Sequence, residues 1–314
     1  MISKSGTKPI GASTTLPMRG KTVVITGASS GIGLAAAELL AVEGAELVLI
    51  CRDPKRAADA QAQIAHAAIA ASPRVVIADL ADQAQIRRAA GELRASLDHV
   101  DVLINNAGSI FAKRELTVDG IEKTFAVNHL APFLLTNLLT DLLAAAGAAR
   151  VVGVVSEIYS KKIDFENLQG ERSYQFFRAY QASKLANILF TTELARRVAD
   201  TKITANSVSP GPAVTRFGDD LTGIAALMPK VMKRIPFLFR PPHEAAAGVV
   251  RLASDPALHG VTARFYMRLE EETLKPVASD PENARRLWGE SAKLVGLAPN
   301  KTPLASSDEA VPVS

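Results

Sequence analysis

Six short, largely β-branched runs, at residues 22–26, 46–51, 74–78, 100–104, 150–155 and 202–208, alternate with Ala/Leu-rich stretches at 34–42, 55–71, 83–97, 120–143 and 179–199. A short apolar run bounded by turn residues reads as a strand buried on both faces, and each longer stretch is long enough for a crossover helix. Repeated strand–helix–strand units pack as a parallel sheet with helices on both sides. The expected architecture is therefore α/β, a doubly wound parallel sheet of about seven strands. Its last strand falls near 263–267, between helices at 243–253 and 282–294.

No linker or internal repeat interrupts the alternation, so residues 20–298 are expected to form one domain. A flexible tail at 1–19 precedes it and a loose Pro/Ser/acidic tail at 299–314 follows. The one break is a Leu/Met/Lys/Arg-rich segment at 219–242, ending in Phe237-Leu238-Phe239-Arg240-Pro241-Pro242, which reads as an insertion covering a site. At 314 residues, with 48% hydrophobic and 22% charged, the chain has enough material for a substantial core, and wholesale disorder is excluded. A net charge of +4 without a run of Lys/Arg gives no nucleic-acid footprint. The single Cys51 fits a reducing compartment, and no metal-ligand cluster is apparent. The N-terminus lacks an apolar signal core and no window reaches ~18 uninterrupted apolar residues, so no membrane span is expected and the location is expected to be cytoplasmic.

Directly after Val23-Val24-Ile25 stands Thr26-Gly27-Ala28-Ser29-Ser30-Gly31-Ile32-Gly33. Three glycines at a strand-to-helix turn let backbone N–H groups and a helix N-terminus approach a pyrophosphate without side-chain obstruction, so the expected ligand of this Rossmann-type sheet is a dinucleotide. The spacing is G-x-x-x-G-x-G rather than G-x-G-x-x-G, and a glycine turn alone also suits an α/β protein that binds nothing.

Tyr180 and Lys184 lie four residues apart at the start of a helical pattern, which puts both on one face with the ammonium near the phenol. A free Tyr has a pKa of ~10, and lowering it by about three units takes ~4 kcal/mol of preferential phenolate stabilisation. A nearby Lys together with a positively charged nicotinamide suffices for that. An isolated Y-x-x-x-K is, however, far more often an amphipathic helix with an exposed Lys.

The pair is not isolated. The glycine loop, Asn105-Asn106-Ala107-Gly108 after the fourth strand, Ser156 after the fifth, Tyr180 and Lys184, and Pro210-Gly211 with Thr215 after the sixth resemble the pattern of the classical short-chain dehydrogenase/reductase family, over about residues 21–215. The resemblance implies that Tyr180 transfers the proton, Lys184 lowers its pKa and holds the nicotinamide ribose, and Ser156 hydrogen-bonds the substrate oxygen. Asn128, in Val127-Asn128-His129-Leu130, would complete a proton relay through water to Lys184. The cofactor would contact Gly27, Ser29, Ser30, Gly31, Ile32, Gly33, Asn106, Ala107, Gly108, Pro210 and Gly211, with Thr215 at its carboxamide. Asp79-Leu80 resembles the adenine contact, though an Asp capping the next helix is a close competitor.

The chain departs from the family where two serines usually stand, having Val155-Ser156, and the 24 residues from Ser156 to Tyr180 are about twice the usual interval. The extra loop at 158–173 resembles the retinol dehydrogenase and WW-domain oxidoreductase branch. The helix at 179–190 and the ending Ala284-Arg285-Arg286-Leu287-Trp288 are similar to that branch as well. Light-dependent protochlorophyllide reductase shares the helix but goes with pocket cysteines that this chain lacks. Family members are commonly dimers or tetramers through the helices carrying Asn128 and Tyr180, which implies a homodimer or homotetramer, although the C-terminal extension is long enough to block one such interface.

An acid at the end of the second strand would select NAD; here that position is Cys51, followed by Arg52, whose guanidinium suits a 2′-phosphate. Asp53 would restore a carboxylate if the alignment shifted by one residue, so NADP is favoured over NAD without excluding it. The apolar residues within 219–242 suggest a lid over a lipophilic alcohol, aldehyde or ketone, or a surface in peripheral contact with a membrane; simple packing on the sheet explains them equally well. The leading expectation is an NADP(H)-dependent oxidoreductase. The alternative is a catalytically silent NADP-binding regulator or scaffold, and the glycine spacing argues against an epimerase of the extended family.

Overall fold

β1 (Thr22–Thr26) is buried at all five residues, as an interior parallel strand covered by helices on both faces must be. In the computed structural model the described residues are 16–213 and 240–299. Thr215, residues 219–239 of the expected lid and nearly all of the two expected tails lie outside them. With β2 (Glu46–Cys51), β3 (Arg74–Ile77), β4 (Val102–Asn105), β5 (Arg150–Val154), β6 (Thr204–Ser209), β7 (Phe265–Met267) and β8 (Glu270–Glu272), β1 forms one sheet of order β3-β2-β1-β4-β5-β6-β7-β8. Every neighbouring pair is parallel except β7 and β8. Because the chain builds outward from β1 first on one side and then on the other, a crevice opens beyond the carboxyl ends of β1 and β4.

Helices α1 (Gly31–Val42), α2 (Pro54–Ala65) and α8 (Pro242–Ser254) cover one face of the sheet. The other carries α3 (Gln83–Ser96), α4 (Lys123–Phe125), α5 (Ala131–Leu138), α6 (Thr140–Ala145), α7 (Phe176–Arg197) and α9 (Pro281–Leu294). The core of this second face centres on α9, where Trp288 meets the Phe133 ring edge-on at 4.8 Å and stacks on Phe190 at 5.8 Å. The Arg197 guanidinium lies 4.4 Å from the Trp288 ring. No helix of the described residues is long and apolar enough to cross a membrane.

Two elements differ from the sequence expectation. The stretch at 120–143 is not one helix: α4 runs into a π-helical turn, Ala126–Leu130, and Leu139 separates α5 from α6. Pro132 supplies no N–H to the helix ladder, which disposes this stretch to rearrange. The sheet also has an eighth strand, the three exposed glutamates of β8, joined to β7 by the tight Arg268-Leu269 turn with Arg268 at φ 61°. A Glu run has poor strand propensity and no apolar alternation, so nothing local announces it; at a sheet edge its charge discourages pairing with another chain.

The same core holds a histidine. His129 is fully buried among Phe125, Phe133 and Phe190, and burial pushes its pKa down to about 4 from 6.5. The unfolded chain takes up this proton below 6.5 while the native imidazole stays neutral. The resulting stability is therefore fully present above pH 6.5 and is lost as pH falls from 6.5 toward 4, amounting to about 3 kcal/mol. Urea unfolding across this window should show the loss in wild type and a shallower one in His129→Gln.

Packing gives a second expectation. A Cβ on Gly248 of α8 would overlap the Arg268 carbonyl oxygen, whereas one on Gly289 of α9 meets open space. Gly248→Ala should cost about 1–3 kcal/mol and Gly289→Ala should gain about 0.5–1 kcal/mol in thermal unfolding.

Candidate active site

The crevice is closed at its base by a clasp between β1 and the segment after β4. Thr26 Oγ1 accepts from the backbone N–H of both Asn106 and Ala107 at 3.0 Å. Asn106 Nδ2 donates back to the Thr26 carbonyl at 2.9 Å and to Gly27 O at 3.3 Å. The Asn106 amide thus ties the two strand ends together rather than extending into the crevice. Gly27 and Gly31 adopt φ of +67° and +58°, conformations that favour glycine, and a Cβ at Gly33 would overlap Asn106 Nδ2 and stand 2.6 Å from Gly27 O. Ser30 is the N-cap of α1 but makes no side-chain cap bond, leaving the first N–H groups of a 12-residue helix to face an incoming anion.

At the end of β2, Cys51 is buried beneath this loop, and burial pushes its thiol pKa up despite hydrogen bonding to Ser29. Asp53 is the N-cap of α2: its Oδ1 accepts from Arg56 N at 3.1 Å, and its carboxylate pairs with the Arg56 side chain at 3.6 Å. Asp53 is thereby committed to the helix, and the residue next to Cys51 is Arg52. Asp79 accepts from Ala81 N at 2.9 Å in a local turn, while Asp82 caps α3; Leu80 is partly buried against the core.

On the other wall, α7 presents Tyr180 and, one turn on, Lys184. The Tyr180 phenol is hydrogen-bonded to the Ser156 side chain, two residues beyond β5. Lys184 is 5% exposed; its Nζ donates to the Val154 carbonyl at 3.2 Å and lies 5.6 Å from the Tyr180 ring centre. Asn128 is held from three sides: its Oδ1 accepts from Ser109 N at 2.8 Å, and its Nδ2 donates to Ser109 O at 2.9 Å and to Ser183 Oγ at 3.0 Å. Gly108 lies between the two groups, since a Cβ there would be 3.4 Å from both Asn128 Oδ1 and Lys184 Nζ. Asn128, Ser156, Tyr180 and Lys184 therefore converge at the carboxyl ends of β4 and β5. Pro210-Gly211 follows β6, and Ser209 Oγ accepts from the backbone N–H of Glu157 at 3.0 Å.

Electrostatics depart from the simplest expectation of a lysine-lowered phenol. Burial pushes the Tyr180 pKa up to about 12, which the Ser156 hydrogen bond opposes without reversing. Burial likewise pushes Lys184 down to about 8, with no acidic partner among the described residues to offset it. In the chain by itself the phenol keeps its proton at neutral pH. Ser109, Ser183 and Asn187, which hold Asn128, were not singled out by the sequence pattern. Their types are common in loops and helices, and only the fold brings them to Asn128.

The family profile of short chain dehydrogenases matches residues 21–223. Retinol dehydrogenase 14 of Mus musculus is 42% identical over 293 residues, covering 89% of this chain and 87% of its own length. Retinol dehydrogenase 13 of Homo sapiens is 39% identical over 283 residues, covering 88% and 85%. Among solved structures, an uncharacterized protein of Mycobacterium paratuberculosis superposes with a TM-score of 0.71 at 32% identity, covering 90% of this chain and 96% of that one. An NAD(P)-dependent gluconate 5-dehydrogenase of Beutenbergia cavernae, described with bound NADP, gives 0.62 at 29% identity, with 81% and 96% covered. With this fold, these matches and the crevice between β1 and β4, the chain belongs to the short-chain dehydrogenase/reductase family of oxidoreductases and is retinol-dehydrogenase-like.

Proposed function

We propose that the chain moves a hydride between NADP(H) and a lipophilic alcohol, aldehyde or ketone, with Tyr180 as the general acid/base. The observation that carries this reading is the pair of a partly buried Tyr180 and a buried Lys184 beside Ser156, at the crevice of a sheet whose glycine loop and uncapped helix N-terminus fit a pyrophosphate. When bound, the nicotinamide supplies or takes up the hydride. Ser156 hydrogen-bonds the substrate oxygen, and Tyr180 gives that oxygen its proton during reduction. Lys184 and Asn128 complete the polar wall through which that proton is replaced.

The glycine loop residues Gly27, Ser29, Ser30, Gly31, Ile32 and Gly33 hold the pyrophosphate, and Ala107, Gly108, Pro210, Gly211 and Thr215 line the nicotinamide half. Asp79 and Leu80 border the adenine. Arg52 selects NADP, and the use of Asp53 as the helix cap, paired with Arg56, supports this reading. The half-exposed apolar side chains of Ile158 and Phe177, the latter 6.4 Å ring to ring from Tyr180, support a lipophilic substrate. The names of the retinol dehydrogenase relatives make retinaldehyde the first candidate. A cytoplasmic location, peripheral membrane contact through 219–242 and a homodimer or homotetramer accompany this reading.

With NADPH and retinaldehyde or a medium-chain aldehyde, Tyr180→Phe should lower kcat at least about 100-fold while NADPH binding is retained; full activity in this variant would reject the mechanism. Arg52→Ala should lower kcat/KM for NADPH about 10- to 100-fold and change that for NADH little, and an unaltered cofactor preference would sink the NADP assignment.

A further inference from the structure

The Asn128 carbonyl sits where the helix ladder cannot serve it in the ordinary way, because the residue four positions on is Pro132. Its partner comes from α7: Asn187 Nδ2 donates to Asn128 O at 2.7 Å. A carbonyl only accepts, so this bond fixes the orientation of the Asn187 amide and turns its Oδ1 to His129 Nδ1, 3.2 Å away. That oxygen also only accepts, which places the imidazole proton on Nδ1. Nε2 is then the acceptor for Ser291 Oγ of α9, at 2.8 Å. Three hydrogen bonds thus run in one direction, from Ser291 through His129 and Asn187 to the Asn128 backbone, and all four residues are buried. The neutral imidazole that burial enforces is the form this direction requires.

Packing alone does not call for a histidine among three phenylalanine rings. The chain of bonds ends, moreover, on the backbone of the residue whose side chain Ser109 and Ser183 clasp next to Lys184. We infer that His129 and Asn187 are positioning residues that hold the turn Ala126–Leu130 so that the Asn128 amide keeps its place beside Lys184, with Ser291 of the C-terminal helix as the outer anchor. The inference rests on the catalytic reading of Asn128, Tyr180 and Lys184. It makes helix α9 part of the apparatus that shapes the site, through Ser291 and His129.

The test uses the full chain with NADPH and the aldehyde it reduces. His129→Phe keeps the aromatic volume and removes both hydrogen bonds; kcat should fall about tenfold while NADPH affinity, read by fluorescence titration, stays within about twofold. His129→Gln, whose amide restores a donor toward Asn187, should recover most of the loss. In the Asn128→Ala background, assayed at high enzyme concentration, His129→Phe should change kcat less than about twofold, since no amide remains to be placed. Ser291→Ala should give a smaller fall of the same kind, and it carries the test if His129→Phe does not fold. Wild-type kcat in the folded variants, or an undiminished effect in the Asn128→Ala background, overturns the positioning role and leaves the proposed reaction standing. Full activity in Tyr180→Phe overturns the reaction and the positioning role together.

Discussion

The reciprocal clasp between Thr26 and Asn106 is the constraint on which the remaining geometry depends. Two adjacent parallel strands end side by side, and their last carbonyls and amides would otherwise face the crevice unpaired. The Thr26 hydroxyl takes two backbone donors from the β4 side while the Asn106 amide returns donors to the β1 side. This fixes where the glycine loop begins, and it sets Gly108 at the point where Asn128 and Lys184 meet. The first wall of the crevice and the second are registered to one another through those bonds. Packing the helices on the sheet would leave this registration looser.

Against that rigid base, the opposite wall holds charge at a cost. Burying the Lys184 ammonium, with the Val154 carbonyl as its one hydrogen-bond acceptor among the described residues, disfavours its charged form, and burying Tyr180 disfavours the phenolate. Both shifts act against the charged forms, although at about 8 Lys184 is still mainly protonated at neutral pH while Tyr180 stays neutral. A cationic neighbour changes that balance more in such a dry setting than it would in water, because the same low polarity that penalises an isolated charge strengthens its attraction to an opposite one.

Much of this was legible in the sequence where a residue's role is set by its immediate neighbours. Strands buried on both faces announce themselves as apolar runs, and β1 and β2 fall where the runs do. The glycine loop, Ser156, Tyr180 and Lys184 each stand at a strand end or on a helix whose place the alternation predicts, and it is the family resemblance that singles them out. Asp53 is ambiguous in the sequence because a helix cap and a ribose ligand look alike there; the fold shows the cap, with Oδ1 accepting from the Arg56 N–H. What escaped is non-local. The π-turn answers to Pro132 and to an asparagine 59 residues away on α7. The glutamate strand exists because β7 lies next to it, and His129 reads as a bland core residue until α9 brings Ser291 to it.

Helix α9 lies near the end of the described chain, yet its Trp288 covers Phe133 and Phe190, residues made far earlier. During synthesis the sheet from β1 to β6 and the helices α5 and α7 emerge first, with that aromatic face open. It stays open until α9 clears the ribosome. The nascent chain therefore carries an uncovered apolar surface from the emergence of α7 until that of α9, an interval in which a chaperone can hold it.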